Sequence, residues 1–85
     1  MPWRVYIVEC KDGKLYTGIT NNLLRRINEH NSGNGSRFTK YQLPVRLLYT
    51  QKVSGRSEAL KREARIKHLS RPQKFLLIKS DQANR

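Results

Sequence analysis

With 85 residues, the chain can remove only about 60–65% of its unfolded surface from water, which excludes more than one small domain with a single core. Eighteen Lys and Arg against six Asp and Glu give a net charge of +12. The basic residues are interleaved with structured segments rather than gathered in a tail, so the partner they imply is nucleic acid before a membrane surface. One cysteine, Cys10, excludes an internal disulfide and a zinc-finger framework, and no apolar run approaches the ~18 residues of a membrane span. No signal-peptide pattern opens the chain, so the expected compartment is the cytoplasm.

Two alternating runs come first, Arg4–Glu9 and Lys14–Ile19, both rich in β-branched and aromatic residues. Asp12-Gly13 between them marks a β-hairpin. A helix follows, with Thr20 or Asn21 as its N-cap and Leu23, Leu24 and Ile27 as its apolar stripe, ending near Asn31 where Ser32-Gly33-Asn34-Gly35-Ser36 becomes loop chemistry. Val45–Val53 is a third strand. Ser57 is placed to cap a second helix from Glu58 to about Leu69, and Ser70-Arg71-Pro72 restarts a third through Phe75, Leu76, Leu77 and Ile78. Residues 1–80 form the domain and residues 81–85 a frayed tail. The order β-β-α-β-α-α predicts an α+β fold with a small three-stranded antiparallel sheet flanked by helices.

Three features resist a purely structural explanation. Arg26 and His30 are four apart and stack along the margin of the first helix's apolar stripe; they are either a surface arginine with a half-buried histidine, or paired site residues. Glu63 falls between Ala59, Leu60 and Ile66, the face its helix buries. A carboxylate there needs a partner, which is either Lys67 at i,i+4 or a metal ion. Tyr6 and Tyr16 suit strands in any case, but register decides whether they meet. A two-residue turn at Asp12-Gly13 pairs Tyr6 with Ile19 and puts the rings on opposite faces. A three-residue loop, Lys11-Asp12-Gly13 with Gly13 in the left-handed region, pairs Tyr6 with Gly18 and Val8 with Tyr16 and puts both rings on one face.

Taken together, Val5-Tyr6, Tyr16-Thr17-Gly18, the helix bearing Arg26 and His30, and Glu63 on a later helix resemble the GIY-YIG nuclease superfamily. The Ser32-Gly33-Asn34-Gly35 loop and Leu60-Lys61-Arg62-Glu63 are similar to a group of short, stand-alone bacterial members, and the resemblance runs from about Pro2 to Ile78. Arg4 stands where the first triplet has Gly, Val5 where it has Ile, and Thr17 where the second triplet has Ile.

The resemblance implies divalent-metal-dependent hydrolysis of a DNA phosphodiester, in repair, recombination or processing. By the same resemblance Glu63 ligates a single Mg²⁺ or Mn²⁺, and Arg26 contacts the scissile phosphate. Tyr6, Tyr16 and His30 line the pocket, with Tyr16 or His30 activating the water. The cations expected beside such a pocket are Arg25, Arg37, Lys40, Arg56 and Lys61, and Gly18 leaves room beside Tyr6. RNA remains an alternative substrate, and a non-catalytic nucleic-acid-binding module on the same fold is the rival function. No protein partner is implied.

Overall fold

The computed structural model describes residues 2–34 and 43–83. Its elements are β1 (Trp3–Glu9), β2 (Leu15–Thr20), α1 (Leu23–Asn31), β3 (Arg46–Val53), α2 (Arg56–Lys67) and α3 (Arg71–Ala83). The three strands form one antiparallel sheet in the order β2-β1-β3, and the predicted β-β-α-β-α-α arrangement is the observed one. Among the described residues, no helix is long and apolar enough to cross a membrane.

The hairpin takes the three-residue loop. Gly13 has φ +88°, its N–H donates to the Cys10 carbonyl at 2.9 Å, and the Cys10 N–H donates to the Lys14 carbonyl at 2.8 Å. The register that follows pairs Tyr6 with Gly18 and Val8 with Tyr16. Since side chains alternate along a strand, Tyr6, Val8, Tyr16 and Gly18 share one face of the sheet, and Val5, Ile7, Leu15 and Ile19 share the other.

Each face has its own core. On the first, Tyr6, Val8, Cys10 and Val45 are buried against Leu23 and Ile27 of α1. On the second, Val5, Ile7 and Tyr49 pack against Ala59 and Ile66 of α2 and Ile78 of α3, with Trp3, Leu15, Ile19 and Leu77 at the margin. Burying each of these large aliphatic side chains stabilises the fold by about 1.5–3 kcal/mol. The second face is pinned to α2 by a polar link as well: Gln51 Oε1 accepts from the Tyr49 hydroxyl at 3.0 Å and from Arg62 Nε at 2.9 Å.

Element ends differ from the sequence expectations for local reasons. The cap of α1 is Asn22, not Thr20 or Asn21: Asn22 Oδ1 accepts the Arg25 N–H at 3.1 Å, while the Thr20 hydroxyl is engaged with the Asn22 backbone. Leu24 is 75% exposed, so the stripe of α1 is Leu23, Ile27 and His30. Leu60 is likewise turned outward, leaving Ala59 and Ile66 as the buried face of α2. Helix α2 starts before Ser57, because the Ala59 N–H already bonds the Gly55 carbonyl at 3.0 Å and Gly55 is the N-cap. Strand β3 starts at Arg46; the Val45 N–H goes instead to Asn31 Oδ1 at 2.7 Å. Ser70 and Gln73 cap α3 reciprocally, each side chain accepting the other's N–H, and α3 continues to Ala83, into the expected tail.

Gly13→Ala tests the loop. A Cβ at positive φ costs about 1 kcal/mol, so urea unfolding should show a loss of that size with the sheet otherwise unchanged. An unchanged unfolding midpoint would mean that the left-handed residue does not govern the hairpin.

Candidate active site

Gly18 is opposite Tyr6 because the aromatic ring occupies its side-chain space. A Cβ built on Gly18 would lie 2.6 Å from the Tyr6 ring carbon that bears the hydroxyl. The ring therefore lies across β2 toward α1, and its hydroxyl meets two side chains from that helix. Arg26 Nε donates to the Tyr6 hydroxyl at 3.3 Å, and the hydroxyl lies 3.0 Å from His30 Nε2. Arg26 and His30 reach one atom because residues four apart in a helix stack on one face.

Burial sets the protonation states. Tyr6 is 1% exposed, and the loss of water pushes its pKa up; Arg26 pulls it down, by hydrogen bond and by charge, without reversing the rise. His30 is completely enclosed, and that burial, with the Arg26 charge, moves its pKa down. At neutral pH the pair is a phenol beside a neutral imidazole. The arrangement that satisfies every group has Arg26 donating to the Tyr6 oxygen and the phenol donating to His30 Nε2. Partial burial works against charge on Arg26, but its bonds to Tyr6 and to Glu29 at 3.5 Å prevail, and its pKa is raised.

Tyr16 completes the aromatic wall. Its ring centre is 6.4 Å from that of Tyr6 and 5.4 Å from that of His30, edge-on to the imidazole, and it keeps partial access to solvent. Glu63 approaches from α2, close enough for its charge to be one of the influences raising the Tyr6 pKa. Its side chain is 19% exposed, and Lys67 Nζ lies 3.6 Å from its carboxylate, so the i,i+4 ion pair exists as well. The residues brought together are thus Tyr6, Tyr16, Gly18, Arg26 and His30, with Glu63 at the margin.

The outlying cations fall elsewhere. Arg25 lines a hollow on the outer side of α1 with Leu24, Asn28 and Glu29. Lys61 lines another with Gln51, Val53 and Arg62, and pairs with Glu58 at 3.4 Å. Arg56 is exposed at the start of α2. Arg37 and Lys40 lie outside the described residues. Arg4, one of the departures from the motif, shares the face of Tyr6 and stands directly opposite Lys52 on β3. Neither has an ion-pair partner among the described residues. Alternation along β1 would have placed Arg4 on this face; the Lys52 pairing needed the β3 register.

The buried imidazole carries a pH signature. An unfolded histidine takes up its proton near pH 6.5, whereas His30 in the fold resists until a lower pH. Its contribution to stability is therefore whole above about pH 6.5 and is lost as the pH falls from there toward the folded value. The urea midpoint of the wild type should fall between about pH 7.5 and 5.5, and should fall less in His30→Gln. Equal slopes in the two proteins would clear His30 as the source.

Residues 2–75 match the family model described as the GIY-YIG catalytic domain. A UPF0213 protein of Desulfotalea psychrophila is 53% identical over 81 residues, covering 94% of this chain and 74% of that one. A UPF0213 protein of Halobacterium salinarum is 50% identical, covering 87% and 96%. Among solved structures, the solution structure of a protein from E. faecalis superposes with a TM-score of 0.67 at 39% identity, covering 98% of this chain and 88% of that one. That of a UPF0213 protein from Bacillus halodurans gives 0.60 at 44%, covering 93% and 84%. Matched over nearly its whole length by the family model and by relatives at half identity, the chain belongs to the GIY-YIG family, among its small UPF0213 proteins.

Proposed function

We propose that this protein is a divalent-metal-dependent endonuclease that hydrolyses a DNA phosphodiester. The observation that carries the reading is the Arg26–Tyr6–His30 chain, in which one phenol oxygen sits between a fixed cation and a neutral base. A binding surface does not require that arrangement, whereas activation of a water beside a phosphate can use it.

His30 is enclosed, and its Nε2 faces Tyr6. Its part in activating water therefore runs through the phenol. Tyr6 is itself enclosed in the free protein, so the relay requires the phosphate and its water to enter past the partly exposed Tyr16; Tyr6 then takes a proton from the attacking water as its own passes to His30 Nε2. Arg26 stabilises the phenol oxygen while it carries partial charge and, from the same position, neutralises charge on the phosphoryl oxygens. Tyr16, partly exposed, shapes the mouth through which the phosphate enters. The depressed pKa of His30 keeps it neutral, and so able to accept, at physiological pH.

Glu63 would hold the metal. Among the described residues no group of three or more His, Cys, Asp and Glu comes together, so Glu63 would act as a lone carboxylate at the margin of the tyrosine pocket. That donor set fits Mg²⁺ or Mn²⁺, which bind through one or two carboxylates and the substrate's own oxygens while keeping several waters. When bound, such an ion supplies charge neutralisation at the reacting phosphate. The Lys67–Glu63 ion pair favours the rival function, a nucleic-acid-binding module in which Glu63 is only structural.

Two variants decide between them. Glu63→Ala should abolish cleavage while leaving DNA affinity equal or improved, since it removes a metal ligand and one negative charge near the backbone. Arg26→Ala should slow cleavage by roughly 10²–10³ with a much smaller effect on binding. If Glu63 only pairs with Lys67, its loss costs at most about 1 kcal/mol of stability and leaves cleavage intact. A protein that binds DNA tightly, cuts nothing with either metal and is indifferent to Glu63→Ala is the binding module.

The +12 charge makes a separate prediction for either reading. DNA affinity should fall steeply with salt, with a log–log slope of roughly −4 to −6, as for about five or six neutralised phosphates. A slope near zero would reduce the charge to a solubility feature.

A further inference from the structure

A second concentration of positive charge lies away from the tyrosine pocket. The hairpin tip and the first turns of α3 enclose a cleft of about 210 Å³ lined by Lys14, Leu15, Arg71 and Lys74. Arg71 is fixed there twice: Nη2 donates to the Gly13 carbonyl at 2.9 Å, and the guanidinium lies 5.0 Å from the centre of the Phe75 ring. A guanidinium held in this way has already lost much of its rotamer freedom, so an anion meeting its remaining N–H donors need not order it. Lys74 is half-buried. Among the described residues, the ion pair of Lys14 is with Asp12 at 3.8 Å, a geometry that contributes little. Among the described residues neither Arg71 nor Lys74 has a carboxylate partner. The fold thus keeps three cations in one cleft with only the weak Asp12 contact at Lys14 to offset their repulsion among the described residues.

The cleft and helix α2, which carries Glu63, both adjoin β2. Helix α2 packs against β2. Glu63 acts on Tyr6, which lies opposite Gly18, while the chain beyond α2 brings Arg71 to Gly13 at the other end of the strand. From Gly18 to Lys14 is four residues of extended chain, roughly 13 Å at about 3.4 Å each. A nucleic-acid strand following β2 over that length carries several phosphates.

We propose that Lys14, Arg71 and Lys74 form a second phosphate-binding station, which takes a backbone phosphodiester of the same DNA strand whose scissile phosphate enters the tyrosine pocket. The identity of the ligand rests on the phosphodiester reading of that pocket. The station holds the strand along β2 at a set distance from Tyr6, so it governs affinity and the position of the cut rather than the chemistry.

The test uses the full chain carrying Glu63→Ala, without added metal, so that a labelled DNA duplex is bound and not cut. Adding Lys14→Gln with Lys74→Gln should lower the magnitude of the log–log salt slope by about two and weaken binding by about tenfold or more at low salt. A charge-matched pair on outward faces, Arg65→Gln with Lys79→Gln, should weaken binding by less than about threefold. Arg71→Lys, which keeps the charge but loses the fork and the stack, should fall between them. Equal losses in the two double variants would mean that the cleft is only part of the general positive field, and no loss in Lys14→Gln with Lys74→Gln would mean that no phosphate visits it. Either result overturns the proposal. A parallel titration with inorganic phosphate, followed by amide chemical shifts, should give weak saturation at the Gly13–Leu15 and Arg71–Lys74 amides that DNA displaces. Tight saturation that DNA does not displace would assign the cleft to a free anion and overturn it as well. If the wild type cuts no DNA but the two double variants still differ as expected, the station stands and only the nuclease reading fails.

Discussion

The packing of the Tyr6 ring over Gly18 is the constraint on which the site depends. A side chain at position 18 would occupy the space of the phenol. Because position 18 has none, the ring crosses to β2 and presents its oxygen where α1 can reach it. Arg26 and His30 then converge on that oxygen from one helical face. The pairing exists only in the register set by the three-residue loop, since a slip of one residue would send Tyr6 and Tyr16 to opposite faces. One glycine at the turn and one in the strand thus decide whether the chain has a pocket.

The helices obey a shared rule. In α1, Leu23, Ile27 and His30 turn inward with Arg26 at the margin; in α2, Ala59 and Ile66 turn inward with Arg62 and Glu63 at the two margins. At 100° per residue, position i+1 points well away from i, so Leu24 and Leu60 are exposed although apolar. The stripes are narrow because each helix covers part of a three-stranded sheet. The margins are where long polar side chains can bury their stems and still direct their heads along the sheet. Arg26 and Glu63 are both margin residues, and so is Arg62, which reaches the other way to Gln51.

Glu63 is a carboxylate in a strongly cationic protein. Its ion pair with Lys67, more than half exposed on the lysine side, is of the kind that contributes little to stability. Such a partner can be displaced by a divalent cation, for which a hard oxygen ligand is the better match. The same weak pairing is compatible with the metal-binding role proposed for Glu63.

The sequence by itself determined the fold class, the order of the elements and the place of the hairpin, and it singled out Tyr6, Tyr16, Arg26, His30 and Glu63 without deciding between a structural and a site role for them. Those features are local: period-two and period-3.6 patterns, an Asp-Gly turn, and polar residues at helix margins whose placement follows from the period. It also narrowed the sheet register to two choices and indicated which of them makes a pocket. What only the tertiary structure decided depends on distance through space. That the Tyr6 hydroxyl is shared by Arg26 and His30, and that His30 is wholly enclosed, depends on how closely α1 docks on the sheet. No spacing rule reports that distance. Helix ends differ from the expected ones by one to five residues because capping is settled by single hydrogen bonds, such as Asn22 to the Arg25 N–H, against competitors of similar strength. Arg25 and Lys61 were expected beside the pocket from their elements, yet each faces another hollow, since burial constrains the apolar side of a helix and leaves the direction of an exposed cation to its neighbours. The Lys14–Arg71–Lys74 cleft joins residues that are nearly sixty positions apart, and only the closure of α3 onto the hairpin tip brings their charges together.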